Sequence, residues 1–172
     1  DMEIRAFAEQ ILLSSDLGEK LWSPKQFSDE IPGKGFDVPS APGRPKDIPL
    51  FHTKAPHSAP TPAGLASESI RGLALHSFAH HDLQAFELMA LALLRWPDAP
   101  GGFRRGLAHI ICDEQRHFRL YKERAEEYGC ALGEVGVGHF YWKTVAHLES
   151  PVAFLAAMSH TFEQANLDFA QY

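Results

Sequence analysis

The chain has 172 residues of which 45% are apolar, so it can bury one sizeable core, and a single domain is the expectation. Its formal net charge of −6 excludes broad electrostatic binding to nucleic acid or anionic lipid. Two cysteines, Cys112 and Cys130, are too few and too casually spaced for a disulfide framework or a cysteine-based zinc site. No apolar run approaches the roughly 20 residues that span a bilayer, and the N-terminus lacks the basic-then-apolar order of a signal peptide. The expected location is therefore cytoplasmic, with no membrane partner. Ten histidines, several inside helical patterns, direct the search toward metal ligands.

In chain order, residues 1–22 carry an amphipathic helix with Ile4, Phe7, Ala8, Ile11 and Leu12 on one face, which should pack on the outside of the later helices. Residues 23–66 are interrupted by Pro24, Pro32, Pro39, Pro42, Pro45, Pro49, Pro56, Pro60 and Pro62. This reads as an N-terminal Pro-rich wrapping segment rather than a free linker, because Phe27, Ile31, Phe36, Ile48, Leu50 and Phe51 need burial. Residues 67–172 read as a helical bundle. A long helix should begin at Ser67 and end before Pro97, with a seam of Leu73, His76, His80, Leu83, Glu87, Ala90 and Leu94. The breaker-rich turn Trp96–Gly102 should fold a second helix back antiparallel, from about Pro100 to Tyr128, closed by Gly129. Its seam is Phe103, Leu107, Ile110, Glu114, His117 and Tyr121. A shorter helix over His139–Leu148 could cover one end, and Ser150–Pro151 should start a last helix with a seam of Ala153, Ala156, His160, Glu163, Leu167 and Ala170.

A glutamate thus occupies the middle of each of three apolar seams. A carboxylate in a helical core costs several kcal/mol unless it is paired or bound to a cation, so three of them ask for one explanation. A metal centre supplies it: iron and manganese accept carboxylate oxygen together with imidazole nitrogen, and the i, i+3 pair Glu114 and His117 delivers both from one helical turn. Glu87 and Glu163 would approach from neighbouring helices. Taken singly, a Glu-x-x-His pair arises often by chance, Glu87 could be solvated if its helix is phased differently, and His76, His80 and His160 resemble ordinary core histidines. His81, Asp82 and His109 lie off the seams, at surface or supporting positions.

The stretches HSFAHHDLQAFELMALALL (His76–Leu94), DEQRHFRLYKER (Asp113–Arg124) and MSHTFEQANLDF (Met158–Phe169) resemble the first three core helices of the ferritin-like superfamily. They are most similar to a bacterial branch of it described as a ferritin-like domain of unknown function. The PGRP segment, Pro42–Pro45, resembles the loop that enters that domain. The likeness covers roughly residues 40–172. It implies an all-α, antiparallel four-helix bundle around a di-metal carboxylate centre, with two irons and manganese as a variant. By position, Glu87 would be a terminal carboxylate, Glu114 would bridge the metals, His117 would bind one of them, and Glu163 would serve from the third helix. Asp113 matches an acid that holds a ligand histidine of the opposite helix by hydrogen bond, and His80 and His160 are candidate extra ligands.

The family pattern takes a second Glu-x-x-His from a fourth helix, which these residues do not contain. The expectation is a chain truncated before that helix, with a homodimer partner or His80 and His160 as alternatives. The implied activity is that of an oxidoreductase activating oxygen or peroxide inside a dry pocket of Leu83, Ile110, Tyr121 and Leu167. The substrate, whether a small organic molecule or a tRNA, is not readable. Two rivals stand beside it: a metal-free helical scaffold or interaction protein whose acids pair with arginine or histidine, and a zinc hydrolase, which three carboxylates make a poorer fit.

Overall fold

The computed structural model describes residues 1–48, 61, 63–136 and 138–163, with side chains through Ser159. The fold is mostly helical and is built on helix–helix packing. Helix α1 spans Ile4–Leu13 and α2 spans Leu17–Leu21, where Asp16 Oδ1 caps the Glu19 N–H at 2.8 Å. Ile4, Phe7, Ala8, Ile11 and Leu12 are fully buried, so α1 contributes directly to the same core as the later helices. Two short strands, β1 (Met2–Glu3) and β2 (Phe27–Ser28), pair in parallel.

Residues 29–48 lie across the helices and are held by polar contacts. The Phe36 N–H donates to Leu94 O at 3.0 Å and the Gly43 N–H to Leu12 O at 2.8 Å. A Cβ at Gly43 would stand 2.1 Å from Leu13 O, so only glycine permits this approach. Asp29 takes a two-pronged ion pair from buried Arg104, with both N···O distances 2.8 Å. Leu50 and Phe51 lie outside the described residues.

The central element is α3, Glu68–Arg95. From Ala79 to Leu94 nearly every side chain is buried, because α1, α4 and α5 pack around it; the sequence there is apolar on almost all sides rather than along one stripe. Ser67 adopts the extended N-cap backbone, but its hydroxyl pairs with Ser69 Oγ at 2.9 Å instead of capping the helix.

Helix α4, Gly101–Glu127, folds back on α3: Phe78 meets Tyr121 at 5.5 Å between ring centroids, Phe86 meets Phe118 at 6.2 Å, and Arg104 Nη1 donates to Leu93 O at 2.7 Å. Residue numbers rise on one helix as they fall on the other, which defines a helical hairpin. The left-handed Gly129 (φ 76°) ends α4, with the Gly129 N–H bonded to Glu126 O and the Cys130 N–H to Ala125 O. The buried face of α4 is Arg104, Leu107, Ala108, Ile111, Gln115, Phe118 and Ala125. The expected seam is therefore rotated by one residue: Ile110 is 41% exposed, while polar Arg104 and Gln115 are inside because hydrogen-bond partners meet them there.

Helix α5, Phe140–Val145, buries Trp142 and Val145, and Arg95 Nη1 ties its end by donating to Ala146 O and Leu148 O. Helix α6, Pro151–Leu155, starts at Ser150, whose Oγ accepts the Ala153 N–H at 3.1 Å. It continues as a π-helical stretch, Ala156–Glu163. Among its described side chains Phe154 and Met158 are buried, whereas Ala156 of the expected seam is exposed. Among the described residues no helix is long and apolar enough to cross a membrane.

Candidate functional site

Asp82 and Glu87 are five residues apart on α3, about 140° around the helix axis, and so they serve different neighbours. Glu87 is fully buried and both its oxygens are engaged by cations. Lys20 Nζ approaches Oε1 at 3.0 Å; Arg44 Nε lies 3.0 and 3.1 Å from the two oxygens, and its Nη2 lies 2.5 Å from Oε2. Both cations are themselves buried. Glu87, expected as a terminal metal carboxylate, stands here at the centre of an interior ion triad. The physical reason is local: two buried positive charges already neutralise it, and they would repel a metal cation brought to the same oxygens.

His76 and His80 lie on this face of α3, with ring centroids 4.7 Å apart. His76 Nε2 accepts the Gly133 N–H at 3.3 Å. Neither ring nitrogen of His80 has a hydrogen-bond partner among the described residues. Burial, with His76 and the Arg44 charge beside it, pushes the His80 pKa down to about 2, so the ring is neutral. The same Arg44 charge makes this face unfavourable for a cation, which counts against His80 as an extra ligand.

The other face of α3 turns toward α4. Asp82 lies there, and burial first and the Glu114 carboxylate second push its pKa up to about 8. Its Oδ2 is buried and has no hydrogen-bond partner among the described residues. Across from it, Glu114 is 18% exposed and its Oε2 stands 3.5 Å from His117 Nδ1, the imidazole being 43% exposed. Tyr121, one turn on, has its hydroxyl pKa raised by burial and then by Asp82 and Glu114, so all four groups occupy one neighbourhood. In its protonated form Asp82 can give a proton, and in its ionised form it presents a second carboxylate beside Glu114 and His117.

The remaining expected residues divide clearly. Asp113 is well exposed and pairs loosely with Arg116 at 3.5 Å, so it does not reach across to a histidine of α3; on a rotated α4 it falls on the solvent side. Of the expected dry pocket, Leu83 is fully buried and Tyr121 half-buried, Ile110 is largely exposed, and Leu167 lies outside the described residues. Glu163 and His160 belong to the π-helical stretch, and their side chains lie outside the described set. Among the described residues no three His, Cys, Asp or Glu side chains are arranged to hold a metal ion. What the described residues bring together is Asp82, Glu114, His117 and Tyr121.

Comparison with protein-family models matches residues 5–172 to one described as a protein of unknown function, DUF455. The chain belongs to the DUF455 family. Searches of curated proteins and of solved structures found no match. The family membership places nearly the whole DUF455 chain, α1 and the residues preceding α3 included, inside one matched unit. That agrees with a core to which α1 contributes. Sequence reasoning set Asp82 aside as lying off the seams, whereas the structure puts it in the neighbourhood of Glu114. The signal available was an acid five residues before Glu87 in the middle of a buried helix.

Proposed function

We propose that this DUF455 chain is a ferritin-like, antiparallel helix-bundle protein whose Asp82, Glu114 and His117 hold a redox metal, with Glu163 joining from the last helix. The observation that carries the reading is the buried Asp82 carboxyl, whose Oδ2 has no partner among the described residues and whose ionisation is opposed by a neighbouring glutamate. Two acids whose charges oppose each other across a helix pair suit a divalent cation. Oxygen and imidazole nitrogen are the donor set that iron and manganese accept. Asp82, Glu114 and His117 offer donor types that such an ion accepts, although the described side chains are not arranged to hold one, and the reading needs Glu163 to complete the set.

Bound iron, two in the complete centre, or manganese would supply one-electron chemistry for activating oxygen or peroxide. The chain's own part is to orient the ligands from α3 and α4, to keep Leu83 and Phe86 between the site and the ion triad, and to move a proton at Asp82 Oδ. A small organic molecule or a tRNA is the substrate class of this reading, the cytoplasm its compartment. A fourth helix from the same chain or a homodimer partner would complete the ligand set.

The rival reading, a metal-free scaffold or interaction protein, draws support from one observation. Glu87 shows that this core can neutralise an interior acid with lysine and arginine alone. The two readings separate on Glu114. Glu114→Ala is expected to remove metal from protein reconstituted anaerobically with iron, as measured by elemental analysis, while far-ultraviolet circular dichroism stays unchanged. Stoichiometric metal retained in that variant would place the site elsewhere, and a wild type that takes up no iron, manganese or zinc would leave the scaffold reading standing.

A further inference from the structure

The interior ion triad does not balance. Lys20 and Arg44 bring two positive charges to the single negative charge of Glu87, and the side chains are 0%, 4% and 0% exposed. Neither cation has a second acid in hydrogen-bond contact among the described residues. Burial, the largest influence, lowers the Lys20 pKa; Glu87 opposes it and the Arg44 charge adds to it. An excess charge in such an interior is costly unless an anion accompanies it. Arg44 also has a donor to spare. Its Nε and Nη2 take Glu87, while Nη1, on the far side of the guanidinium, is buried and has no hydrogen-bond partner among the described residues.

His80 is a second orphan on the same wall. His76, His80, Gln84 and Glu87 follow one another by three or four residues along α3 and so share one face. Contacts at its two ends show what lies over it. Arg44 sits on Glu87 at one end; at the other, His76 Nε2 accepts the Gly133 N–H, and a Cβ at Gly133 would stand 2.2 Å from Asp47 O. Residues 44–47 therefore run alongside α3 from the level of Glu87 toward that of His76, a distance of roughly 16 Å along the axis that the long Arg44 side chain helps to cover. His80 and Gln84 lie between those ends. Both ring nitrogens of His80 are buried and unpartnered among the described residues, and so is Gln84 Oε1, whose Nε2 donates to Gly138 O at 3.2 Å. Water would satisfy such groups but would leave the charge unbalanced.

We propose that Arg44 Nη1 and the His80 ring N–H bind a small monovalent oxyanion of the carboxylate class between α3 and residues 44–47. A guanidinium and an imidazole N–H are donors that a carboxylate accepts, the first through a charge-assisted bond. The ion would bring the triad to neutrality and give His80 a partner. Gln84 Oε1 is an acceptor and takes no part in holding it. The excess positive charge that makes this face poor for a metal makes it suitable for an anion, so the inference stands apart from the metal reading.

The test titrates sodium formate into the full chain, with ionic strength held constant by sodium gluconate, whose anion is too bulky to enter. Calorimetry is expected to show one saturable site with a Kd of about a millimolar or tighter. The ring-nitrogen NMR signals of His80 should shift along the same isotherm. Arg44→Lys keeps a cation for Glu87 but removes Nη1, and His80→Leu removes the ring donors. Each is expected to weaken formate binding by about tenfold or more, as the loss of a hydrogen bond to a charged group does. Thermal unfolding of the same samples reports folding. If one variant does not fold the other decides, and the His80 signals of the wild type decide without either. No saturable binding to the wild type, wild-type affinity in either folded variant, or binding that leaves the His80 signals unmoved overturns the inference.

Discussion

Asparagine in place of Asp82 is expected to abolish stoichiometric iron or manganese binding while making the metal-free protein more stable. Both effects come from one carboxyl. Burial and the Glu114 charge raise its pKa from the ordinary 3.8 to about 8, so between those values the folded state holds a proton that the unfolded state has released. More protons bound in the folded state means that stability falls as pH rises across that window, reaching its full loss above about pH 8. A shift of this size is worth on the order of a few kcal/mol, given a side chain that is partly screened by solvent. Asp82→Asn carries no ionisable group, so its thermal midpoint should lose this downward slope between about pH 4 and about pH 8 and should exceed that of the wild type near the upper end. Metal binding needs the ionised form, so loading the wild type near neutrality should release a proton that the variant does not. Calorimetry in buffers of different ionisation enthalpy reads that proton. A variant that still binds one equivalent of metal removes Asp82 from the site.

The second large effect is on stability. Glu87→Gln leaves Lys20 and Arg44 charged in the interior without their shared counter-ion, and breaking a buried pair from one side typically costs about 3–5 kcal/mol. For a chain of this length the thermal midpoint should fall by roughly 10 °C or more. Metal content per folded molecule should remain close to that of the wild type, measured on protein held well below its midpoint. If Glu87 were instead a metal ligand, the same substitution would strip the metal, and the metal-free protein would lose little. Asp82→Asn and Glu87→Gln therefore move stability in opposite directions, although both neutralise an acid on the same helix. The contrast comes from the groups facing each acid: a carboxylate on one side, two cations on the other.

Much of the helical framework is legible in the sequence, because its punctuation is local. Pro97, Gly129 and the Ser150–Pro151 pair bound α3, α4 and α6 within a residue or two of their observed ends. The Glu114–His117 neighbourhood is legible too, since i, i+3 spacing is a property of one helical turn. The phase of α4 is not. Arg104 and Gln115 look like surface residues and are buried only because Asp29 and Lys20, 75 and 95 residues away, satisfy them. With those two polar side chains inside, the apolar stripe reads one residue out of register, and Ile110 and Tyr121 look central when Ile111 and Phe118 are. The ion pairs of Glu87 are not legible for a related reason: its partners come from α2 and from the PGRP segment, and nothing in its own helix announces them. The π-helical stretch after Leu155 alters the side-chain period that the expected seam through His160 and Glu163 assumes, a conformation often found at functional sites.

The most direct test is a crystal structure of the iron-loaded full chain, with the metal located by anomalous scattering at the iron edge. Iron within about 2.0–2.4 Å of Asp82, Glu114 and His117, with Glu87 still bound to Lys20 and Arg44, is the expected result. Iron on Glu87 with its ion pairs broken, or fully loaded protein with no iron between α3 and α4, would contradict it.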